Sequence, residues 1–224
     1  MDFDRALTFL SKLSRNNSKN WFDTHREEYN QIRVELKEFA FQVFTGIAQF
    51  DPTINFPTDI KLFRINRDTR FSKNKQPYKD NMGIEIASHG SMATNPGYYI
   101  HIQPQRSFIA GGWYAPEREY MNAVRSLISK HTNDFESILQ DPKISKTFPA
   151  GLMEFEDSLK SVPRGYGKED PAAVYLRKKH WIQSKDVDFR KIKNPADTVI
   201  ETFSIIYPFN KFLIQAHKEE SLSR

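Results

Sequence analysis

The fold is decided by three stretches of sequence: Met82-Gly83-Ile84-Glu85-Ile86-Ala87, Tyr98-Tyr99-Ile100-His101-Ile102-Gln103 and Ser107-Phe108-Ile109-Ala110-Gly111-Gly112-Trp113. Each stretch is rich in β-branched or aromatic residues and is bounded by turn-forming residues, which is typical of β-strands. The connections between them are too short to hold a crossover helix. The strands are therefore expected to pair antiparallel as a β-meander.

Alternation divides the side chains of these strands between two faces of the sheet. The isoleucines of the first two stretches share one face, whereas Glu85 and His101 fall on the other. Similar apolar runs predict a strand over 60–65 before the meander and a further strand over 180–184. We thus expect a sheet whose second face carries polar side chains.

Helical periodicity flanks the strands on both sides. Apolar residues recur every three or four positions in four segments. The first follows the capping residue Asp2, and the second is a long helix over 18–46 that is expected to bend. The third follows Pro116, and the fourth runs from Pro195 and is expected to kink at Pro208. The sequence therefore predicts an α+β fold, with a central antiparallel β-meander flanked by N-terminal and C-terminal helices. We expect one domain over 1–224: helical over 1–50, a meander over 60–114, and helical with one extra strand over 116–219.

Length and composition exclude several classes of protein. A chain of 224 residues can bury a core without a disulfide or a metal. It contains no cysteine, which excludes thiol catalysis, cysteine-ligated zinc and iron–sulfur clusters. No apolar run is long enough to span a membrane, and Met1-Asp2-Phe3-Asp4 is unlike a signal peptide. We expect a cytoplasmic protein with no membrane partner.

The net charge of +5 is distributed unevenly along the chain. Segment 61–80 contains seven basic and two acidic residues, and segment 164–193 contains nine basic and four acidic residues. The rest of the chain is therefore net acidic. In the second segment, Arg177-Lys178-Lys179 lies on a predicted helix, where such charges usually form a solvated face.

The first basic segment has the composition of an anion-binding loop. Guanidinium groups form planar forks that suit phosphate or carboxylate oxygens, and a loop between two strands is held by a rigid sheet. Its candidate anion-binding residues are Arg64, Arg67, Arg70, Lys73, Lys75 and Lys79. Two other interpretations stay open: Asp68 and Glu85 can pair with the arginines as a structural network, or the loop can simply be solvated.

His101 and Glu85 are the candidate catalytic residues. A histidine in the middle of a strand, beside an arginine loop, can act as a general acid or base, for example in a metal-independent phosphoryl or acyl transfer. In the alternative interpretation, His101 is a half-buried sheet residue that hydrogen-bonds to Glu85. Neither interpretation establishes an enzymatic reaction.

The arginine segment also carries a resemblance. The pattern Phe63-Arg64-x-x-Arg67-Asp68-x-Arg70-Phe71-Ser72-x-x-Lys75-x-Pro77-Tyr78-Lys79 resembles the signature of a widespread family of bacterial and fungal proteins, a domain of unknown function. Further segments that match the layout of that family are 20–23, 98–103, 111–116 and 163–171. The resemblance implies a single α+β domain and provides no catalytic residue; Ala110 departs from it, where a glycine often stands.

Cofactor and metal motifs are absent from the sequence. No nucleotide-binding glycine motif and no H-x-x-x-H spacing occurs, so we expect neither a cofactor nor a metal. The leading hypothesis is binding of an anionic small molecule. The alternatives are a nucleic-acid-binding module that uses both basic segments with nearby aromatic rings, such as those of Tyr78, Tyr98, Tyr99 and Trp113, and an interaction scaffold whose arginines are structural.

Overall fold

Five strands form one antiparallel sheet, in the order in which they occur along the chain. The computed structural model describes residues 1–56, 59–70 and 75–217. The strands are β1 (Ile60–Leu62), β2 (Met82–Ala87), β3 (Gly97–Ile102), β4 (Ser107–Trp113) and β5 (Trp181–Val187). Every neighbouring pair is antiparallel, which confirms the predicted meander and its additional strand.

The described residues also form eight α-helices, before and after the meander. They are α1 (Phe3–Arg15), α2 (Lys19–Thr24), α3 (Arg26–Ile47), α4 (Arg118–Lys130), α5 (Thr132–Gln140), α6 (Pro142–Thr147), α7 (Ala173–Leu176) and α8 (Pro195–Leu213). The predicted α+β class is thereby confirmed. In the described part of the chain, none of these helices is both long and apolar enough to cross a bilayer.

One face of the sheet is buried beneath helices. Ile84, Ile100 and Ile109 are register partners along β2, β3 and β4 and are fully buried. Helix α8 packs directly on β4. The Ile206 side chain lies so close to Gly111 that a Cβ at that residue would be 2.8 Å from it. At Gly112 the backbone φ is +129° and a Cβ would lie 2.0 Å from the Trp181 carbonyl oxygen, so only glycine fits.

Two elements differ from the expectation in a way that shapes the site. Strand β1 ends at Leu62 instead of residue 65, because the chain leaves β2 after Phe63 and Asn66 pairs with Tyr78 instead. The helix predicted over 18–46 is interrupted at His25, which lies between α2 and α3 and whose ring stacks on Trp21. The first change turns residues 63–70 and 75–80 back toward the sheet, and we call these described residues the cationic loop.

Candidate functional site

The cationic loop is closed at its base by backbone hydrogen bonds. The amide N–H of Arg67 donates to the carbonyl oxygen of Pro77, and that of Lys79 donates to Ile65, each at 2.8 Å. Phe63 extends the β1–β2 ladder by donating its N–H to the Gly83 carbonyl oxygen at 3.0 Å. The two arms of the loop are therefore fixed relative to the sheet. Within 71–74, the predicted Lys73 lies outside the described residues.

Side chains from α2, from α3 and from the connection between α1 and α2 hold this base in place. The Asn17 side-chain amide donates to the Tyr78 carbonyl oxygen and accepts from the Tyr78 N–H, both at 3.0 Å, as a neighbouring strand would. The Tyr78 ring stacks on Phe22 with centroids 4.1 Å apart. On the other arm, Arg33 donates to the Phe63 carbonyl oxygen at 3.3 Å. The loop thus emerges from a rigid support.

Three cations lie together at this base: Arg64, Arg67 and Lys79, which we call the cation triad. Within the described residues, no acidic side chain forms an ion pair with any of them. The Nε atom of Arg67 is buried and has no hydrogen-bond partner there. Burial, together with the positive charges of Arg64 and Arg67, holds the pKa of Lys79 below its ordinary value. Like charges are therefore held close together without a direct ion pair among the described residues, although the charge of Asp68 acts on Arg64 from a longer distance.

The other described cations of the loop are engaged elsewhere. Arg70 makes two side-chain hydrogen bonds to Asp68, at 2.8 and 3.0 Å, and these bonds hold the pKa of the Asp68 carboxyl below its ordinary value. Lys75 donates to the Thr69 carbonyl oxygen at 3.0 Å. Arg70 is therefore paired with Asp68, as expected if the arginines form a structural network with nearby acidic residues.

In the described part of the chain, Glu85 makes no hydrogen bond or ion pair with an arginine or with His101. Its carboxylate lies 3.7 Å from the Lys61 ammonium group, across the β1–β2 register, and accepts the backbone N–H of Met92 at 3.0 Å. The alternative in which Glu85 hydrogen-bonds to His101 is therefore wrong. The physical reason is register, because Glu85 pairs with Tyr99 while Gly83 is the residue opposite His101.

His101 belongs instead to a chain of hydrogen bonds that ends at a carboxylate. The Gln103 amide group donates to Asp80 at 3.1 Å, so its carbonyl oxygen faces His101 Nε2 at 3.0 Å. That nitrogen must then carry the proton, which leaves Nδ1 to accept from the Tyr99 hydroxyl at 3.1 Å. Burial lowers the pKa of His101, so the ring is neutral at pH 7. Burial and the charge of Glu85 raise the pKa of Tyr99 to about 12.

The second face of the sheet carries a row of half-buried rings beside the cation triad. His101 is the register partner of both Gly83 and Phe108, and Phe63 pairs with Gly83 from the other side, so these residues form one line across the sheet. The Tyr99 ring leans into this line over Gly83, where a Cβ would lie 2.7 Å from its hydroxyl. We call Phe63, Tyr99, His101 and Phe108 the ring row.

The rings of this row contact one another and carry cations at both ends. Ring centroids lie 6.1 Å apart for Phe63 and Tyr99, 6.0 Å for Tyr99 and His101, and 4.8 Å for the stacked His101 and Phe108. The ammonium groups of Lys61 and Lys79 lie 5.1 and 5.5 Å from the Phe63 centroid. The Arg106 guanidinium lies 5.7 Å from that of Phe108.

Sequence reasoning missed the ring row. Tyr78, Tyr98 and Trp113, which were considered as stacking rings, are buried in the core, and only Tyr99 lies on the second face. The signal that could have found Phe63 and Phe108 is strand register: once the hairpin turn at 103–106 fixes the pairing of β3 with β4, Phe108 must lie opposite His101.

The second basic segment is partly neutralised by the protein itself. Its ion pairs join Lys178 to Glu154, Lys179 to Asp157, Arg190 to Asp4 and Lys191 to Asp188. The expected solvated helix face is wrong for Lys178, which is 5% exposed, because α7 ends at Leu176 and the chain then turns inward toward β5. Four of its nine basic residues are therefore paired with acidic side chains, in contrast to the members of the cation triad.

The described residues contain no group of three or more histidine, aspartate or glutamate side chains that could hold a metal ion. No curated protein and no solved structure matches the chain. A family model of conserved hypothetical proteins, DUF2461, matches residues 5–212. The match covers most of the chain and includes the cation triad and the ring row, so the predicted resemblance to a domain of unknown function is confirmed. The chain belongs to the DUF2461 family of conserved hypothetical proteins.

Proposed function

We propose that the protein binds an anionic ligand, bearing phosphate or carboxylate groups, at the cation triad. The observation that carries this proposal is the grouping of Arg64, Arg67 and Lys79 without an ion pair to an acidic side chain among the described residues. Burial and the two neighbouring arginines accordingly lower the pKa of Lys79. A fold that brings like charges together loses stability through their repulsion, and a bound anion relieves it. Arg67 adds to the proposal through its buried Nε, which lacks a partner among the described residues.

The ligand would be held by three groups of different geometry. Arg64 and Arg67 each offer a planar fork that can bind two oxygens of a phosphate or carboxylate at once. Lys79 offers a compact charge on a flexible stem. Its backbone N–H, like that of Arg67, is already bound to the opposite arm of the loop, so the recognition depends on side chains. Arg70 and Lys75 lie at the exposed outer part of the loop. They would raise the positive electrostatic potential at the site without contacting the ligand.

Binding without an assigned reaction is the function that this geometry supports best. A general base needs a nitrogen that can reach the substrate, but both ring nitrogens of His101 are engaged, by Tyr99 and by Gln103. Glu85 is held by Lys61 and by the Met92 N–H. Among the described residues, neither candidate catalytic residue makes a hydrogen bond or ion pair with a member of the triad.

Thermal unfolding in the presence of polyanions tests the proposal. We expect pyrophosphate or citrate to raise the Tm relative to chloride of equal ionic strength. A ligand at about a hundred times its Kd adds about 2.7 kcal/mol, which corresponds to roughly 5–10 °C for a domain of this size. Comparing the two ligands distinguishes phosphate from carboxylate recognition.

Two arginine variants make the test specific. Arg67→Ala is expected to abolish the Tm shift while keeping the Tm of the free protein, whereas the control Arg118→Ala, at an exposed arginine that begins α4, keeps the shift. A wild-type Tm that no polyanion raises would contradict the proposal. Unfolding of Arg67→Ala would instead favour the structural-network interpretation.

A further inference from the structure

The ring row and the cation triad meet at Lys79. Lys79 is a member of the triad and lies over Phe63, the first ring of the row, and the hydrogen bond from Gln103 to Asp80 joins the loop to His101. All four rings are half-buried, so each keeps part of its surface open to solvent. The helices of the core pack on the opposite face of the sheet, as the buried isoleucines of β2 and β3 show.

The two ends of the ring row are too far apart for one anionic group. Phe63 and Phe108 are separated by three inter-strand steps, which amount to about 14 Å at about 4.8 Å per step. Lys61 and Lys79 mark one end and Arg106 marks the other. A ligand that engages both ends needs at least two anionic groups, and flat apolar rings between them would match the rings of the sheet.

We propose that the ligand of this site is single-stranded nucleic acid, whose phosphates bind the cation triad and Arg106 and whose bases stack on the ring row. This inference rests on the anion site proposed above. Unpaired bases offer two π-faces to aromatic side chains, and a sheet that presents aromatic residues beside cations is a recurrent platform for single strands. A duplex keeps its bases stacked inside the helix, where the ring row cannot reach them.

The cations that now cover the terminal rings can move without breaking the fold. Lys61 is half exposed, and its contact with Glu85 is 3.7 Å long. Arg106 and Asp186 are both about 60% exposed, and such surface ion pairs contribute little stability. When a base stacks on Phe63 or Phe108, the displaced ammonium or guanidinium group can bind the adjoining phosphate instead.

The experiment compares ligands of equal charge with and without bases. Fluorescence anisotropy is measured with labelled ten-nucleotide strands: oligothymidylate, oligouridylate, an abasic deoxyribose-phosphate strand and a duplex of the same length. We expect the strands with bases to bind at least about tenfold more tightly than the abasic strand, since each stacked base contributes strongly to affinity. The slope of log K against log salt should be about −2 for three phosphate contacts to a single strand.

Ring variants locate the stacking. Phe108→Leu and Phe63→Leu are each expected to weaken binding of the base-containing strands by about five- to tenfold and to weaken abasic binding much less. Phe41→Leu is the matched control, because Phe41 is an exposed phenylalanine on α3. Should a ring variant fail to fold, ultraviolet cross-linking of a 4-thiouridine strand to the wild-type protein gives an independent result: the label should appear on tryptic peptides 62–64, 80–106 and 107–118, which carry the four rings of the row.

The outcomes separate this inference from the anion site itself. Equal affinity for abasic and base-containing strands, or cross-links confined to other peptides, would overturn the stacking of bases while leaving the anion site intact. Tighter binding of the duplex than of the single strands would overturn it as well. If neither the abasic strand nor pyrophosphate binds, the anion site fails and this inference fails with it.

Discussion

The ammonium group of Lys79 lies 5.5 Å from the centroid of the Phe63 ring. This contact joins the cation triad to the ring row, and thus joins a loop to a sheet face. It exists because Phe63 extends the pairing of β1 with β2 while Lys79 returns beside it through its backbone bond to Ile65. The Phe63 ring stabilises the Lys79 ammonium group, whereas the two arginines of the triad repel it. A bound anion would reduce this repulsion.

Removing the Lys79 charge should weaken ligand binding without destabilising the fold. We expect Lys79→Met to abolish the pyrophosphate-induced Tm shift and to raise the free energy of unfolding at pH 7 by a few tenths of a kcal/mol at most, because the group is partly exposed and screened. Urea unfolding measures this change. The control is Lys146→Met, an exposed lysine of α6.

The same variant predicts a difference in pH dependence. Because the folded-state pKa of Lys79 is lowered, the unfolded chain binds more protons between that pKa and the ordinary lysine pKa. Wild-type stability should therefore rise relative to Lys79→Met as pH increases through that alkaline window. Parallel stability curves for the two proteins would show that the repulsion is absent.

His101 should titrate below the ordinary range of histidine. Burial lowers its pKa, while Gln103 and the charge of Asp80 act in the opposite direction. We therefore expect Asp80→Asn to lower the His101 pKa further, as measured by NMR of the imidazole, with the exposed His131 as an internal reference. The neutral ring should carry its proton on Nε2; a proton on Nδ1 would contradict the hydrogen-bond chain.

This histidine also makes stability sensitive to acid. Between its lowered pKa and the ordinary value of about 6.5, the unfolded chain binds more protons than the folded protein. Stability should therefore fall as pH drops through that window, and His101→Gln should flatten this part of the profile.

Asn17 should be important both for the fold and for the site. Asn17→Ala removes both hydrogen bonds to the Tyr78 backbone, and we expect a loss of about 1–3 kcal/mol in urea unfolding. Because Tyr78 lies in the base of the cationic loop, pyrophosphate binding should weaken as well. Asn122→Ala, at an exposed position of α4, is the control. If Asn17→Ala destabilised the protein but left pyrophosphate binding unchanged, the base of the loop would not be needed to position the site.

Gly83 should be required for the position of the Tyr99 ring. A Cβ at residue 83 would lie 2.7 Å from the Tyr99 hydroxyl and 3.0 Å from Phe63, so Gly83→Ala should cost about 1–3 kcal/mol. Adding Tyr99→Phe removes the first of these contacts and should recover part of the loss. Urea unfolding of the two single variants and the double variant gives the coupling. Additive effects would mean that the Tyr99 hydroxyl does not limit residue 83.

The strands were predictable because their sequence patterns are local. Alternating isoleucines mark β2 and β3, and the short turns between them leave antiparallel pairing as the only simple connection. The pairing of Arg70 with Asp68, two residues away, is local as well. These features can be predicted without knowing which distant segments of the chain contact each other.

The arrangement of the site was not predictable to the same extent, because it depends on register and on long-range contacts. Glu85 meets Lys61 instead of His101 because of the β1–β2 register. The backbone positions of Arg67 and Lys79 are fixed by the loop base, which is held in part by Asn17, 61 residues from Tyr78. No periodicity in the sequence encodes such a contact.

The most direct test of the account is the pKa of Lys79, measured by NMR of its side chain with and without saturating sulfate, a dianion that does not titrate in the alkaline range. We predict a pKa below the ordinary lysine value in the free protein, a rise when sulfate binds, and a smaller rise in Arg67→Ala than in wild type. A Lys79 pKa at its ordinary value that sulfate does not change would contradict the existence of the anion site.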